Sequence, residues 1–268
     1  MIGRGIGWCF ATAREWVARG LVSLGVTPNE LTVFGTLMMI PAGVCYALGA
    51  GQSFAWSLDP RGSSGAFLLL GGVLIIASSA CDMLDGAVAR LSNKSSPFGA
   101  ILDSTLDRIG DFAVYAGIAS YYAFHSPVNP TFTLLSMICF LNAFMISYVK
   151  ARAENTIGNC GVGYWTRGER TAAVLVATLA YNVPAMIVQQ AALPIFTLLR
   201  RILHTRAVLG GKTPVTNARQ GRWRHKIQPW LYPRGSWPYD VMTAAYIAWL
   251  IWAPVDPARW DVIRWWIG

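Results

Sequence analysis

Histidine and cysteine are scarce and scattered in this chain. The three histidines lie far apart, and none of the five cysteines forms a Cys-x-x-Cys pair. A histidine-based metal site or nucleophile is therefore not expected. Four of the cysteines lie in or beside apolar segments, so we predict that they serve as small apolar residues within helices.

Charged residues make up only 13% of the 268 residues, whereas 54% are hydrophobic and the mean hydropathy is +0.41. This balance indicates a membrane protein rather than a soluble globule, because a bilayer span needs about 20 mainly apolar residues. Apolar stretches occur at 31–50, 66–84, 99–123, 131–149, 171–183 and 185–203, with a weaker one at 239–254. The short fifth and sixth stretches form either one bent unit or a helical hairpin, and we take the hairpin.

Acidic residues are few, and five of the thirteen lie between positions 82 and 111. Asp82 and Asp85 are three residues apart, and Asp103 and Asp107 are four apart, so each pair shares one face of a helix. Glycine, asparagine, serine and proline between the pairs predict a turn. We therefore expect the two pairs to meet near one membrane surface. The alternative is that they are helix caps and surface charges at the membrane boundary.

The paired carboxylates predict a divalent-cation site. A carboxylate at membrane depth costs roughly 2.5 kcal/mol or more, so such residues usually serve a function. Four converging carboxylates cannot all stay ionised without cations. Oxygen ligands alone suit Mg²⁺, Mn²⁺ or Ca²⁺, and these ions commonly hold phosphates during a displacement.

The same segment resembles the signature of the CDP-alcohol phosphotransferases, which are integral membrane enzymes that transfer a phosphatidyl or similar group from a CDP-linked lipid to an alcohol and release CMP. The match covers eight fixed positions: Asp82, Asp85, Gly86, Ala89, Arg90, Gly99, Asp103 and Asp107. The resemblance extends over roughly 25–206. It implies an all-α fold with six core transmembrane helices, CDP-diacylglycerol (CDP-DAG) as the donor, and a homodimer.

The resemblance also implies roles for individual residues. Asp82, Asp85 and Asp103 would bind Mg²⁺ or Mn²⁺, with two ions expected at the CDP-lipid pyrophosphate. Asp107 would be the general base for the acceptor hydroxyl and would also touch the second ion. Asp111 lies one turn beyond the motif, and we expect it either to support the site or to solvate the helix, without a part in catalysis. The CDP-lipid would contact the residues around them: Asn29, Thr32, Gly86, Ala89, Arg90 and Gly99. Asn29 and Thr32 belong to a Pro-Asn-x-x-Thr element, which is also a simple helix start.

Further cations at the same membrane face favour a phosphorylated acceptor. The segments 147–154 and 167–170 resemble the branch that makes phosphatidylinositol phosphate, or its archaeal ether-lipid equivalent, from inositol 1-phosphate. The implied acceptor contacts are Lys150, Arg152, Arg170 and Arg201, with Arg200 as the alternative to the last. Glycerol 3-phosphate and serine stay open as acceptors because 167–170 departs from the fuller Arg-Pro/Ala-Glu-Arg pattern. These cations could instead anchor helix ends to anionic lipid, which we favour for Arg167.

Basic residues are concentrated in the loops on the aspartate side, whereas the opposite loops contain only Arg61. The positive-inside rule therefore predicts an active site on the cytoplasmic side. We divide the chain into an interfacial amphipathic helix at 1–27, a phosphotransferase membrane domain at 28–206 and a basic, aromatic-rich extension at 207–268. We expect the extension to lie on anionic membrane lipids rather than to bind nucleic acid, with 239–254 either a seventh span or an interfacial helix.

An ion-coupled membrane transporter is the alternative from another functional class, because transporters also contain intramembrane carboxylates. A translocation pathway spreads ionisable groups across the depth of the bilayer. Here the carboxylates gather at one face, which favours the enzyme.

Overall fold

The computed structural model describes residues 2–50, 62–125, 127–213 and 223–267, with side chains from Thr12 onward except at 62–64, 224 and 267. All regular structure in these ranges is helical, which confirms the all-α class. The helices are α1 (Ile2–Ser23), α2 (Pro28–Gly49), α3 (Gly62–Leu91), α4 (Pro97–Phe124), α5 (Pro130–Ile157), α6 (Arg167–Leu179), α7 (Val183–Ala192), α8 (Pro194–Leu209), α9 (Trp223–Lys226), α10 (Trp237–Trp252) and α11 (Val262–Ile267), with a short 3-10 helix at Pro229–Leu231.

Four of the described helical segments are long and apolar enough to cross a membrane: Pro28–Gly49, Gly65–Leu91, Pro130–Ile157 and Val183–Leu209. α4 has 28 residues, but its first 15 residues contain three aspartates and an arginine, and α6 has only 13 residues. An integral membrane protein is therefore supported, while the count of six core spans stays a prediction. α10 has 16 residues, so the choice between a seventh span and an interfacial helix also stays open.

The hairpin expected near 182–184 is present. α6 ends at Leu179 and α7 begins at Val183, with Tyr181 between them at a φ of 54°. The side-chain amide of Gln190, near the end of α7, donates a hydrogen bond of 3.0 Å to the carbonyl of Arg170, near the start of α6. The two helices therefore run antiparallel. The stretch predicted at 185–203 falls in the segment Val183–Leu209, which consists of α7 and α8 in succession. The helix is interrupted between them because Pro194 has no N–H with which to continue it.

Close helix packing brings α2 and α4 together. A Cβ atom at Gly43 of α2 would overlap the backbone of Ala113, and a Cβ atom at Gly117 of α4 would overlap the backbone of Gly43. Small residues allow such backbone contact between membrane helices. The hydroxyls of Tyr46 and Thr178 form a buried hydrogen bond that joins α2 to α6. α2 therefore contacts both α4 and α6 closely.

The N-terminal helix packs against the end of the core that contains the aspartates. Ala18 of α1 is fully buried in a cluster with Leu31, Ala87 and Val88, whereas Trp16 is 75% exposed. One buried and one exposed face is the arrangement that an interfacial helix requires, although its place in the membrane stays a prediction. The side chain of Cys9 lies outside the described residues, and the other four cysteines are free.

The described part of the C-terminal extension docks on the α6–α7 hairpin. The Asn182 side chain donates hydrogen bonds of 3.1 Å to the carbonyl of Leu250 and 2.9 Å to that of Ala253. The indole of Trp249 donates one of 3.0 Å to the carbonyl of Ala185. Arg61, which entered the positive-inside prediction, and residues 214–222, which belong to the basic extension, lie outside the described residues.

Candidate active site

The two aspartate pairs lie on either side of a tight turn. Asp82 and Asp85 occupy the last turns of α3, which ends at Leu91. Asn93 follows with a φ of 55°, a conformation that asparagine tolerates better than most residues. Ser96 then caps α4, because its hydroxyl accepts a hydrogen bond of 3.0 Å from the Gly99 N–H. The turn predicted between the pairs is therefore confirmed, and it returns the chain directly to the same surface.

Three of the four motif aspartates converge. Asp82, Asp85 and Asp103 each place one carboxylate oxygen within 4.8 Å of the other two. Oδ1 of Asp103 is buried and has no hydrogen-bond partner among the described residues. A buried, unpaired carboxylate oxygen is costly, and a cation is the partner that would satisfy it. The cluster has the oxygen-only ligands that Mg²⁺ and Mn²⁺ prefer.

The start of α2 lies beside this cluster. Thr27 and Glu30 form a reciprocal capping box, which fixes where the helix begins. One turn later, the hydroxyl of Thr32 donates a hydrogen bond of 2.6 Å to Oδ2 of Asp85. Oδ1 of Asn29 lies 3.3 Å from the position that a Cβ atom of Gly99 would occupy. The Pro-Asn-x-x-Thr element therefore contacts both halves of the motif, which a simple helix start does not require.

Asp107 faces a protein cation. Nη1 of Arg167 lies 2.8 Å from Oδ1 of Asp107 and 2.8 Å from Oδ1 of Asp82. Arg108 lies farther away, with Nη1 at 3.7 Å from Oδ2 of Asp107. The expectation that Arg167 anchors its helix to lipid is wrong, since the guanidinium at the start of α6 turns inward and bridges α3 and α4. The sequence did contain a signal for this inward orientation, because Arg167 is three residues from Arg170 and the two therefore lie on one side of a helix.

The predicted acceptor-side cations fall into two groups. Arg170 and Arg201 are each only 3% exposed. Arg170 contacts Oδ2 of Asp111 at 3.3 Å. Arg201 donates hydrogen bonds of 3.0 Å and 2.6 Å to the carbonyls of Val162 and Ile146. Lys150 and Arg152, by contrast, are exposed at the end of α5.

The remaining predicted residues are exposed or partly buried at the ends of their helices. Lys150 pairs with Glu154 at 3.8 Å. Arg90 is exposed in the last turn of α3, beside the partly buried Ala89. A Cβ atom at Gly86 would meet only Nη1 of Arg90, at 3.6 Å. Helix packing therefore does not require a glycine at position 86.

A cluster of contacts around Glu169, which the sequence did not predict, joins the extension to the start of α6. The carboxylate of Glu169 is bound by Arg234, by the Thr166 hydroxyl and, at 3.2 Å, by the Tyr239 hydroxyl. Burial acts to lower the pKa of the Arg234 guanidinium, but the Glu169 carboxylate outweighs it and the pKa is raised. Glu169 lies between Arg167 and Arg170, so the extension helps to fix the helical turn that supplies both cations.

Comparison with known proteins identifies the family. The sequence profile of the CDP-alcohol phosphatidyltransferases matches residues 25–210. The phosphatidylinositol phosphate synthase of Mycobacterium tuberculosis (strain ATCC 25618 / H37Rv) is 36% identical over 175 residues, which cover 65% of this chain and 73% of the relative. The archaetidylinositol phosphate synthase of Pyrococcus horikoshii is 32% identical over 189 residues, which cover 70% and 88%.

Solved structures agree with the sequence relatives. The M. tuberculosis phosphatidylinositol phosphate synthase with CDP-DAG bound has a TM-score of 0.57 and 31% identity, covering 72% of this chain and 92% of that one. Its complex with manganese and citrate has a TM-score of 0.59 and 30% identity, covering 72% and 88%. These relatives are synthases, which favours the enzyme over the ion-coupled transporter. The chain therefore belongs to the CDP-alcohol phosphatidyltransferase family and is a CDP-alcohol phosphotransferase.

Proposed function

We propose that this enzyme transfers the phosphatidyl group of CDP-DAG to a hydroxyl of inositol 1-phosphate and releases CMP. The observation that carries the proposal is the convergence of Asp82, Asp85 and Asp103 within the family match. The relative with CDP-DAG bound supports the donor. Bacterial and archaeal relatives named for inositol phosphate lipids support the acceptor.

The three converging aspartates are the proposed ligands of a divalent cation. The unpaired buried oxygen of Asp103 and the manganese in a related structure both support this assignment. When bound, Mg²⁺ or Mn²⁺ would neutralise the pyrophosphate oxygens and stabilise CMP as the leaving group. We propose two ions, with Asp107 completing the ligand set of the second. Thr32 would keep Asp85 oriented through its 2.6 Å hydrogen bond.

Asp107 is the proposed general base. Its side chain is 15% exposed and lies one helical turn beyond Asp103. Arg167 must leave Asp107 before this carboxylate can take a proton, and a substrate phosphate is the partner that would draw it away. Asp107 then accepts the proton of the acceptor hydroxyl, whose oxygen forms a bond to the lipid-side phosphorus as the bond from that phosphorus to CMP breaks.

The donor nucleotide would lie along the last turns of α3 and the start of α4. Gly86 fits this role because helix packing does not require it, so its open backbone offers close approach to a ligand. Arg90 and Ala89 follow one turn later on the same surface. Asn29 and Gly99 would contact the same ligand from the α2 side.

Arg170 and Arg201 are the proposed anchors of the acceptor phosphate. Both guanidiniums are buried, and they are near enough for their charges to interact. Arg170 pairs with Asp111, while Arg201 of α8 donates to two backbone carbonyls and forms no ion pair among the described residues. This excess of buried positive charge favours an anionic ligand. Lys150 and Arg152 would act at the entrance, from the exposed end of α5. We also propose that this face is cytoplasmic and that the enzyme is a homodimer.

The test is an acceptor panel with the purified full-length protein, CDP-DAG and Mg²⁺, in which CMP release is measured. Inositol 1-phosphate should give turnover and unphosphorylated inositol should be a poor substrate, because the proposed pocket binds the phosphate. A higher turnover with glycerol 3-phosphate or serine would overturn the assigned acceptor and leave the phosphotransferase chemistry standing. Chelation should abolish CMP release, and Mg²⁺ or Mn²⁺ should restore it.

A further inference from the structure

Two adjoining cavities lie between α8 and the C-terminal extension. One has a volume of about 500 Å³ and the other about 660 Å³. They share six lining residues: Gly163, Tyr164, Arg200, His204, Trp230 and Leu231. Within the described part of the chain, their walls include none of the motif aspartates and neither Arg170 nor Arg201. Arg200, the sequence alternative to Arg201 as an acceptor contact, lines both cavities. The walls that the extension contributes lie beyond the family match, which ends at 210.

The smaller cavity has mixed polar and apolar walls, and Arg200 is its unpaired cation among the described residues. Arg200, His204 and Arg234 line it, and its acidic residue, Glu169, is already paired with Arg234. Nη1 of Arg200 donates a hydrogen bond of 2.9 Å to the carbonyl of Trp230. A guanidinium has about five N–H donors in a planar fork, so Arg200 can keep this bond and still bind a phosphate.

The larger cavity is a long apolar groove. Side chains from Leu193, just before α8, to Ala207 form one wall, which at about 1.5 Å per residue is about 21 Å long. Phe196 and Leu203 on this wall are 66% and 62% exposed. The extension covers the groove from the other side with aromatic and apolar side chains that include Trp230 and Tyr246. One leaflet contributes about half of a hydrocarbon core of about 30 Å, so the groove is long enough for an acyl chain.

We propose that the two cavities together bind one anionic phospholipid, with its phosphate at Arg200 and an acyl chain along α8. The cationic end and the apolar groove share a boundary, as the two parts of a phospholipid do. Arg200 lies at this boundary because it lines both cavities. The site is separate from the transfer reaction and does not depend on the proposed acceptor.

Lipid retention by the full-length protein tests the proposal directly. Purified protein in detergent is titrated with phosphatidylglycerol or phosphatidylcholine, and the lipid-bound fraction is measured by native mass spectrometry. The unmutated protein should bind phosphatidylglycerol more tightly than phosphatidylcholine. Arg200→Gln should weaken phosphatidylglycerol binding about tenfold, since it removes a charge-assisted contact. Arg206→Gln is the matched control, because this exposed arginine lies on the same helix but outside both cavities.

Two further arms complete the test. Ala207→Trp should fill the groove and lower the retention of both lipids, and it serves as the second variant if Arg200→Gln fails to fold. Inorganic phosphate at millimolar concentration should displace little phosphatidylglycerol, because the acyl chain supplies much of the binding. Equal loss in Arg200→Gln and Arg206→Gln, equal retention of the two lipids, or full displacement by phosphate would each overturn the proposal.

Discussion

Neutralising Arg167 should tighten divalent-cation binding to the enzyme. Its guanidinium contacts Asp82 on α3 and Asp107 on α4, both at 2.8 Å, and Asp82 is also a member of the converging triad. A cation that binds Asp82 must therefore displace Arg167 or share a carboxylate with it. Arg167→Gln keeps much of the side-chain volume and removes this competition.

The expected size of the effect follows from the exposure of the two ion pairs. The side chains of Arg167, Asp82 and Asp107 are 30%, 41% and 15% exposed. An ion pair at 4 Å is worth about 4 kcal/mol at an effective dielectric constant of about 20, but pairs with this degree of solvent contact measure nearer to about 1 kcal/mol or less. Removing both contacts should favour the divalent ion by about 1.4 kcal/mol, which is about tenfold in its dissociation constant.

Titration calorimetry with Mn²⁺ on the unmutated protein and on Arg167→Gln measures this effect. Arg108→Gln is the matched control, because among the motif aspartates Arg108 forms an ion pair with Asp107 alone, at 3.7 Å, and should change Mn²⁺ binding by less than about threefold. Weaker Mn²⁺ binding in Arg167→Gln would refute the reasoning. It would mean that Arg167 organises the carboxylates for the cation instead of competing with it.

The remaining predictions concern the base, the acceptor pocket and helix packing. Asp107→Asn should lower the rate of CMP release by about 10²–10⁴ while CDP-DAG still binds, and equal loss of both would make Asp107 chiefly a metal ligand. Arg170→Lys keeps the charge but loses the planar guanidinium fork, so the KM for inositol 1-phosphate should rise about tenfold. The KM for CDP-DAG should stay within about threefold. An unchanged KM for inositol 1-phosphate would show that Arg170 does not bind the acceptor. Gly117→Val should lower the thermal unfolding midpoint in detergent, because the new side chain overlaps the backbone of Gly43 and such overpacking costs about 1–3 kcal/mol. Gly20→Ala, where a Cβ atom meets nothing within 4 Å, should not lower the midpoint, because alanine is favoured over glycine inside a helix, and an equal decrease in both variants would refute the packing argument.

The sequence predicted the convergence of the aspartates better than it predicted which helices cross the membrane. Helical spacing alone predicted that Asp82 and Asp85 share one helix face. The helix-breaking residues near Asn93 predicted the turn that brings Asp103 to them. Hydropathy separated the apolar stretches, yet it could not settle whether α4 and α6 span the bilayer. The reason is physical, since α4 combines an apolar half with a charged half and α6 is short.

The partners of individual charges could not be read from the sequence because they depend on helix rotation and loop geometry. Asp103 and Asp107 are one turn apart on the same helix, but only Asp103 joins the triad, while Asp107 meets Arg167. The direction of Arg167 depends on the loop before α6, where Gly158 and Gly163 have φ values of 79° and 103°. Local sequence patterns do not specify how such a loop orients the helix that follows it.

The central claim is that Asp82, Asp85 and Asp103 form the divalent-cation site of this phosphotransferase. Electron paramagnetic resonance of Mn²⁺ bound to Asp103→Asn tests it most directly, with Asp111→Asn as the control because Asp111 pairs with Arg170 outside the triad. We predict that Asp103→Asn loses the bound Mn²⁺ signal at concentrations that saturate the unmutated protein, and that Asp111→Asn retains it. A bound signal in Asp103→Asn equal to that of the unmutated protein would contradict the claim.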